Sequence, residues 1–119
     1  MKGFFTKIVG VTFENNDGSS RQKLLEELST QWNPKSKILL QAKREKNNPF
    51  DPKAVAIYNP EGKQLGYLSK KVNETVAPWL DEGFQVLVEV TTINGGDDNH
   101  WGCNVYIEKS RTKTAPALF

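Results

Sequence analysis

The sequence predicts a mostly β domain: six short strands in a small antiparallel barrel or strongly curved sheet, flanked by two short α-helices. Three observations carry this. Six segments rich in β-branched and aromatic residues are bounded by clusters of Gly, Pro, Asn, Asp or Ser. Only two stretches show the apolar spacing of a helix. The 119 residues, without an internal repeat or low-complexity block, suit one core and one domain.

The first strand is expected over residues 4–14, where Phe5, Val9, Val11 and Phe13 share one parity, and Ile8 and Gly10 the other. A glycine inside a strand pattern marks a bulge or the close approach of another backbone. Polar residues 15–20 form a turn, and the Ser20 hydroxyl caps a helix that begins at Arg21. Leu24, Leu25 and Leu28 give that helix one apolar face with Trp32 a turn further on, and Asn33-Pro34 ends it. A second strand spans 36–44, its facing left ambiguous by the run Ile38-Leu39-Leu40. The loop from Glu45 to Pro52 is dense in turn formers.

Residues 54–58 and 63–68 form a hairpin about the turn Asn59-Pro60-Glu61-Gly62. Ser69 caps a second helix whose apolar face is Val72, Val76, Trp79 and Leu80; Pro78 is expected to bend it or end it early. Gly83 stands where a left-handed C-terminal cap belongs. Residues 84–93 alternate as a strand, 94–100 read as a polar loop, and 102–108 as the last strand. The domain thus covers 1–108; the tail 109–119 has no period and is expected to be disordered in part.

Hydrophobic residues at 37% and charged residues at 25% fit a soluble globular chain. A lone cysteine, Cys103, excludes an internal disulfide. With a lone histidine, His100, it also excludes the common Cys/His structural zinc sites. The net charge of +2 implies no polyanion partner by itself, but its distribution is uneven: residues 1–60 carry 10 basic and 6 acidic side chains, residues 61–119 carry 6 and 8. Residues 35–71 alone hold nine basic side chains against three acidic, which would give one positive face. Lysines scattered for solubility would give the same count.

Thr6 and Lys7 interrupt the apolar start before it reaches the core length of a signal peptide. No apolar run approaches the ~20 residues of a membrane helix. A cytoplasmic protein without a membrane partner is the expectation. Neither GxxxxGK[ST] nor GxGxxG occurs, which disfavours nucleotide-driven chemistry, and no cofactor is expected.

The segment Lys43–Lys53, KREKNNPFDPK, holds the chemistry of most interest. Two prolines restrict the backbone around Phe50-Asp51. An exposed Phe50 would offer a flat face to a nucleobase, Asp51 would accept from a sugar hydroxyl, and Asn47 and Asn48 would serve phosphate, sugar or base edges. The same residues suit a rigid turn in which Phe50 anchors the loop to the core and Asp51 bonds nearby amides, and composition does not separate the two.

Elsewhere, Asp97, Asp98 and His100 share a loop that could hold a divalent ion for a nuclease, or be a plain polar turn. His100 has no nucleophile at a recognisable spacing. Trp32, Trp79 and Trp101 suit core or rim packing better than stacking. Lys109–Lys113 reads as a solvated tail more readily than as a basic arm.

Around Lys43–Lys53 the chain resembles the HIRAN domain family. The likeness rests on Ile8-Val9-Gly10-Val11-Thr12-Phe13, on Lys43 to Ile57 with its Asn47-Asn48-Pro49-Phe50-Asp51 run, on Gly62 to Leu68, and on Lys70 and Lys71, together spanning most of residues 8–108. The resemblance implies an OB-like β-barrel that binds DNA; in a fork-remodelling member the domain is fused to a helicase-like ATPase and captures a single-stranded 3′ end.

By position, Phe13 matches a DNA-contacting aromatic of the first strand. Asn47, Asn48, Phe50 and Asp51 match the loop holding the terminal nucleotide, with Asp51 placed for the 3′-hydroxyl. Tyr67 stands where that member has a histidine, and Lys70 lies near a phosphate-contacting lysine. Thr12 replaces an arginine and Phe50 a tyrosine, so a phosphate contact and a hydroxyl are missing, and strict 3′-end selection is expected to weaken.

With Arg44, Lys46 and Lys70 as phosphate contacts, affinity is expected to be modest and salt-dependent. The leading expectation is a non-enzymatic protein that binds single-stranded DNA at 3′-hydroxyl ends in DNA repair or replication-fork processing, alongside a separately encoded helicase-like ATPase or nuclease. The alternative is a protein-interaction module that recruits a DNA-processing enzyme without touching DNA.

Overall fold

The computed structural model describes residues 3–97 and 99–113. Its elements follow in the order β1 (Phe4–Lys7), α1 (Arg21–Gln31), β2 (Leu39–Glu45), β3 (Ala54–Tyr58), β4 (Gln64–Tyr67), α2 (Lys70–Asp81), β5 (Phe84–Gly96) and β6 (Asn99–Lys113). All strand pairs are antiparallel, in the order β1-β6-β5-β2-β3-β4. This is the mostly β fold with two helices that the pattern predicts, curled into a half-barrel.

The two edges of the sheet meet just past β1, where Val9 and Tyr67 exchange backbone hydrogen bonds of 2.8 and 2.9 Å. Gly66 permits that approach, because a Cβ there would collide with the Val9 carbonyl oxygen and the Ile8 side chain.

The core gathers inside the curl. Leu25 of α1, Val55 and Ile57 of β3, Leu65 of β4, Val76 of α2 and Val105 and Ile107 of β6 are fully buried in one cluster. Each such side chain contributes roughly 1.5–3 kcal/mol on burial. Cys103 is buried among them as a small apolar residue, its thiol pushed up to about 12 by desolvation and so chemically inert.

Both helix starts are capped as expected: the Ser20 hydroxyl accepts from Lys23 N at 3.2 Å and that of Ser69 from Val72 N at 3.3 Å. The α2 helix does not end at Pro78 but runs to Asp81. Pro78 is exposed, so the carbonyl it leaves without a helical partner is on the solvent side. Gly83 closes the helix through a 3.0 Å bond to the Leu80 carbonyl.

Four stretches differ from the pattern. The first strand stops at Lys7 instead of Glu14, because Gly10 adopts a positive φ of 70° and turns the chain; Val11 to Phe13 then belong to a loop, and Phe13 points outward. The second begins at Leu39, not Ser36. The segment expected as a loop over 94–100 is instead the end of a long hairpin: Asn94 pairs with Gly102 and Gly96 with Asn99, leaving a turn at Asp97. Backbone pairing sustains these strands where side-chain alternation has already lapsed. At its other end β6 runs on to Lys113, opposite Phe84, so residues 109–113, expected in the tail, belong to the last strand because the start of β5 pairs with them. Asp98 and the part of the expected tail from 114 to 119 lie outside the described residues.

Candidate nucleic-acid interface

A groove of about 1150 Å³ opens between the 10–16 loop, the 44–54 loop, β3–β4 and the start of α2. All nine residues singled out from the sequence line it: Phe13, Arg44, Lys46, Asn47, Asn48, Phe50, Asp51, Tyr67 and Lys70. They do not play equal parts.

Asn48 builds the loop. Its Oδ1 accepts from the backbone N–H of Phe50 (2.9 Å) and of Asp51 (3.1 Å), and its Nδ2 donates to Glu45 Oε1 at 3.0 Å. The side chain is thereby spent on geometry. The turn it imposes throws Phe50 outward, 88% exposed, so Phe50 does not anchor the loop to the core. Phe13, 66% exposed, is the other free aromatic of the groove. Among the described residues nothing bonds to the side chains of Lys46, Asn47 or Lys70, all exposed.

Asp51 is held from two sides. Oδ1 accepts from Lys53 N and Oδ2 from Asn73 Nδ2, both at 2.9 Å, and these bonds, the Asn73 amide foremost, keep its carboxyl below the ordinary aspartate range. Asn73 comes from the first turns of α2 and is 2% exposed; its Oδ1 is buried without a partner. The amide orientation follows from Asp51, which needs a donor. Each carboxylate oxygen keeps a lone pair for a further donor.

Arg44 was expected to contact phosphate, and the structure gives its guanidinium another use. Nε and Nη2 pair with the two oxygens of Asp81 at 2.9 and 3.2 Å, and Nη1 donates to the Pro52 and Ala54 carbonyls. It ties the stem of the loop to the end of α2. Tyr67 is likewise committed: its hydroxyl donates to Glu45 Oε1 at 2.8 Å, and the Arg21 guanidinium lies 5.5 Å from its ring centre.

Arg21, Glu45, Tyr58 and Asn73 also line the groove and were missed in the sequence. A cation at the first position of a helix opposes the macrodipole, and that misplacement was the one available hint for Arg21. Asn73 gave none, since helical position does not say what a polar side chain meets.

The competing candidates lie elsewhere. Asp97 and His100 are exposed at the hairpin end, and among the described residues no three His, Cys, Asp or Glu side chains converge. Trp32, Trp79 and Trp101 all pack against the core, Trp79 beside Phe4 with ring centres 6.3 Å apart. Lys109 lies over the rings of Phe84 and Trp79 within β6.

The fold is a small half-barrel that closes around its core and leaves a lined groove beside the closure. The HIRAN domain profile matches residues 4–110, and the chain belongs to that family. Its fold is similar to the HIRAN domain of human HLTF (TM-score 0.63, 18% identity, covering 91% of this chain and 74% of that one). It is equally similar to a protein from Lactobacillus plantarum (TM-score 0.63, 18% identity, 90% and 95% covered). No curated protein matches the sequence. No helix among the described residues is long and apolar enough to cross a membrane.

Proposed function

We propose that this HIRAN domain binds single-stranded DNA in the groove and takes the free 3′-hydroxyl of a strand end on Asp51. The observation that carries the reading is the pairing of a fixed carboxylate with an exposed ring one residue away. Asn48 aims both, Asn73 and Lys53 hold Asp51, and Phe50 is left 88% exposed. A terminal 3′-hydroxyl donates to Asp51 in a charge-assisted bond of roughly 1.5–3 kcal/mol. A 3′-phosphate brings negative charge to the same point and is repelled. Stacking on Phe50 and on Phe13 adds ~1–3 kcal/mol per base without sequence preference.

Lys46 and Lys70 contact phosphates, whereas Arg44 shapes the loop. The protein performs no chemistry on the strand; it holds an end during DNA repair or replication-fork processing. A separately encoded helicase-like ATPase or nuclease acts on what it holds. The test is fluorescence anisotropy with labelled oligonucleotides ending in a 3′-hydroxyl, a 3′-phosphate or a blunt duplex, at two salt concentrations. Preference for the hydroxyl end is expected; equal affinity for both single-stranded ends overturns the role of Asp51.

One observation favours a second reading, a face that recruits such an enzyme without DNA contact. Phe5 and Leu39 are exposed on the outer sheet surface, in one cross-strand row with Tyr106 and Glu89. On that reading no strand binds even at low salt.

A further inference from the structure

We infer that Arg21 forms the floor of an anion site in the groove and takes a phosphodiester oxygen of the bound strand on Nη2. This rests on the reading that the groove holds single-stranded DNA. Arg21 is 7% exposed and is held by two loop contacts: Nε donates to Asn15 Oδ1 at 2.7 Å and Nη1 to the Gly10 carbonyl at 2.8 Å. The positive φ of Gly10 belongs to the turn that presents this carbonyl, and the Phe13 and Tyr67 rings close around the same point. Nη2 has no acceptor among the described residues. It is not one of the buried atoms left without a partner, so it is open to solvent, and Arg21 lines the groove.

Among the described residues no carboxylate pairs with Arg21, and its charge is answered in part by the Tyr67 ring, 5.5 Å from the guanidinium carbon. The ion pairs of the described residues are Arg44 with Asp81 and Lys63 with Asp17, and neither involves it. The acidic group facing this cluster is Glu45, which reaches it through the Tyr67 hydroxyl while its Oε1 also accepts from Asn48. A largely buried cation without a counter-ion is costly, and the cost is relieved by an anion that enters. Its place at the start of α1 adds the helix's own positive end to that attraction. A single free N–H edge suits one phosphate oxygen rather than the two-point contact that reads a guanine, so the site carries no base preference.

The test uses the full chain and an oligothymidylate in which single phosphate linkages are replaced, one at a time, by uncharged methylphosphonate. With Lys46, Lys70 and Arg21 each neutralising one phosphate, the log–log salt slope of the wild type is roughly −2.1, falling to about −1.4 in Arg21→Gln. One methylphosphonate position is expected to weaken the wild type about tenfold and leave Arg21→Gln unaffected. A folded Arg21→Gln with the wild-type slope and the wild-type pattern of penalties overturns the site while strand binding stands. A wild type that binds no strand overturns both this site and the reading it rests on. Should Arg21→Gln fail to fold, the side-chain N–H resonances of Arg21 in the wild type decide: a shift on adding the strand supports the site, and unchanged resonances overturn it.

Discussion

Two segments of this chain look alike in composition and fold to opposite ends. Residues 45–52 and 94–101 are both rich in Asn, Asp and a breaker residue, and both carry one large aromatic. In the first, side-chain hydrogen bonds from Asn48 and Asp51 set the backbone, and the aromatic Phe50 is left 88% exposed. In the second, strand pairing sets the backbone, and Trp101 folds back over Gly96 and the core, while Gln22 bonds its backbone N–H at 2.7 Å. A loop that satisfies its own backbone from within can hold an aromatic ring away from the core. A hairpin that closes by pairing has no reason to do so.

The two segments differ most in what their aromatic rings contribute to stability. Trp101→Ala is expected to cost about 2–4 kcal/mol in denaturant unfolding and to leave oligonucleotide affinity near the wild-type value. Phe50→Ala should reverse this, losing about 1–3 kcal/mol of strand affinity with stability changed by no more than ~0.5 kcal/mol. A Phe50→Ala variant that unfolds early would mean that the ring packs after all.

A finer cut separates Asp51 from its holder. Asp51→Asn should abolish the preference for a 3′-hydroxyl over a 3′-phosphate. Asn73→Ala should reduce that preference in part while binding to internal strand persists, because the carboxylate remains but loses its orientation. Equal end preference in Asn73→Ala and wild type, by anisotropy, would remove Asn73 from the site.

The smallest expected effect is that of pH. The carboxyl of Asp51 lies below its ordinary range, so the charged form is favoured by the fold. Its contribution is complete above the unfolded aspartate value and is lost only as pH falls through the lower folded value. The affinity for a strand ending in a 3′-hydroxyl should therefore stay level from about pH 8 to pH 5. A fall centred near neutrality would point to another titrating group.

Much of this was legible in the sequence because it depends on neighbours along the chain. The turn formers between Glu45 and Pro52, the serine caps and the hairpin at 59–62 act over a few residues, and each forms as expected. The groove residues read from that loop all line the groove. What escaped depends on contacts across the fold. Arg44 meets Asp81 and Asn73 meets Asp51 only once α2 docks. Arg21 faces the groove only because Gly10 turns the first strand aside, and that same turn ended the strand earlier than its alternation implied.

The central claim is that Asp51 receives a strand's terminal hydroxyl. Its most direct measurement is the ratio of affinities for otherwise identical 3′-hydroxyl and 3′-phosphate oligonucleotides, taken on wild type and Asp51→Asn side by side. The expected wild-type ratio is about ten or more, set by one charge-assisted bond, with a ratio near one in the variant. The same ratio in both proteins would contradict it.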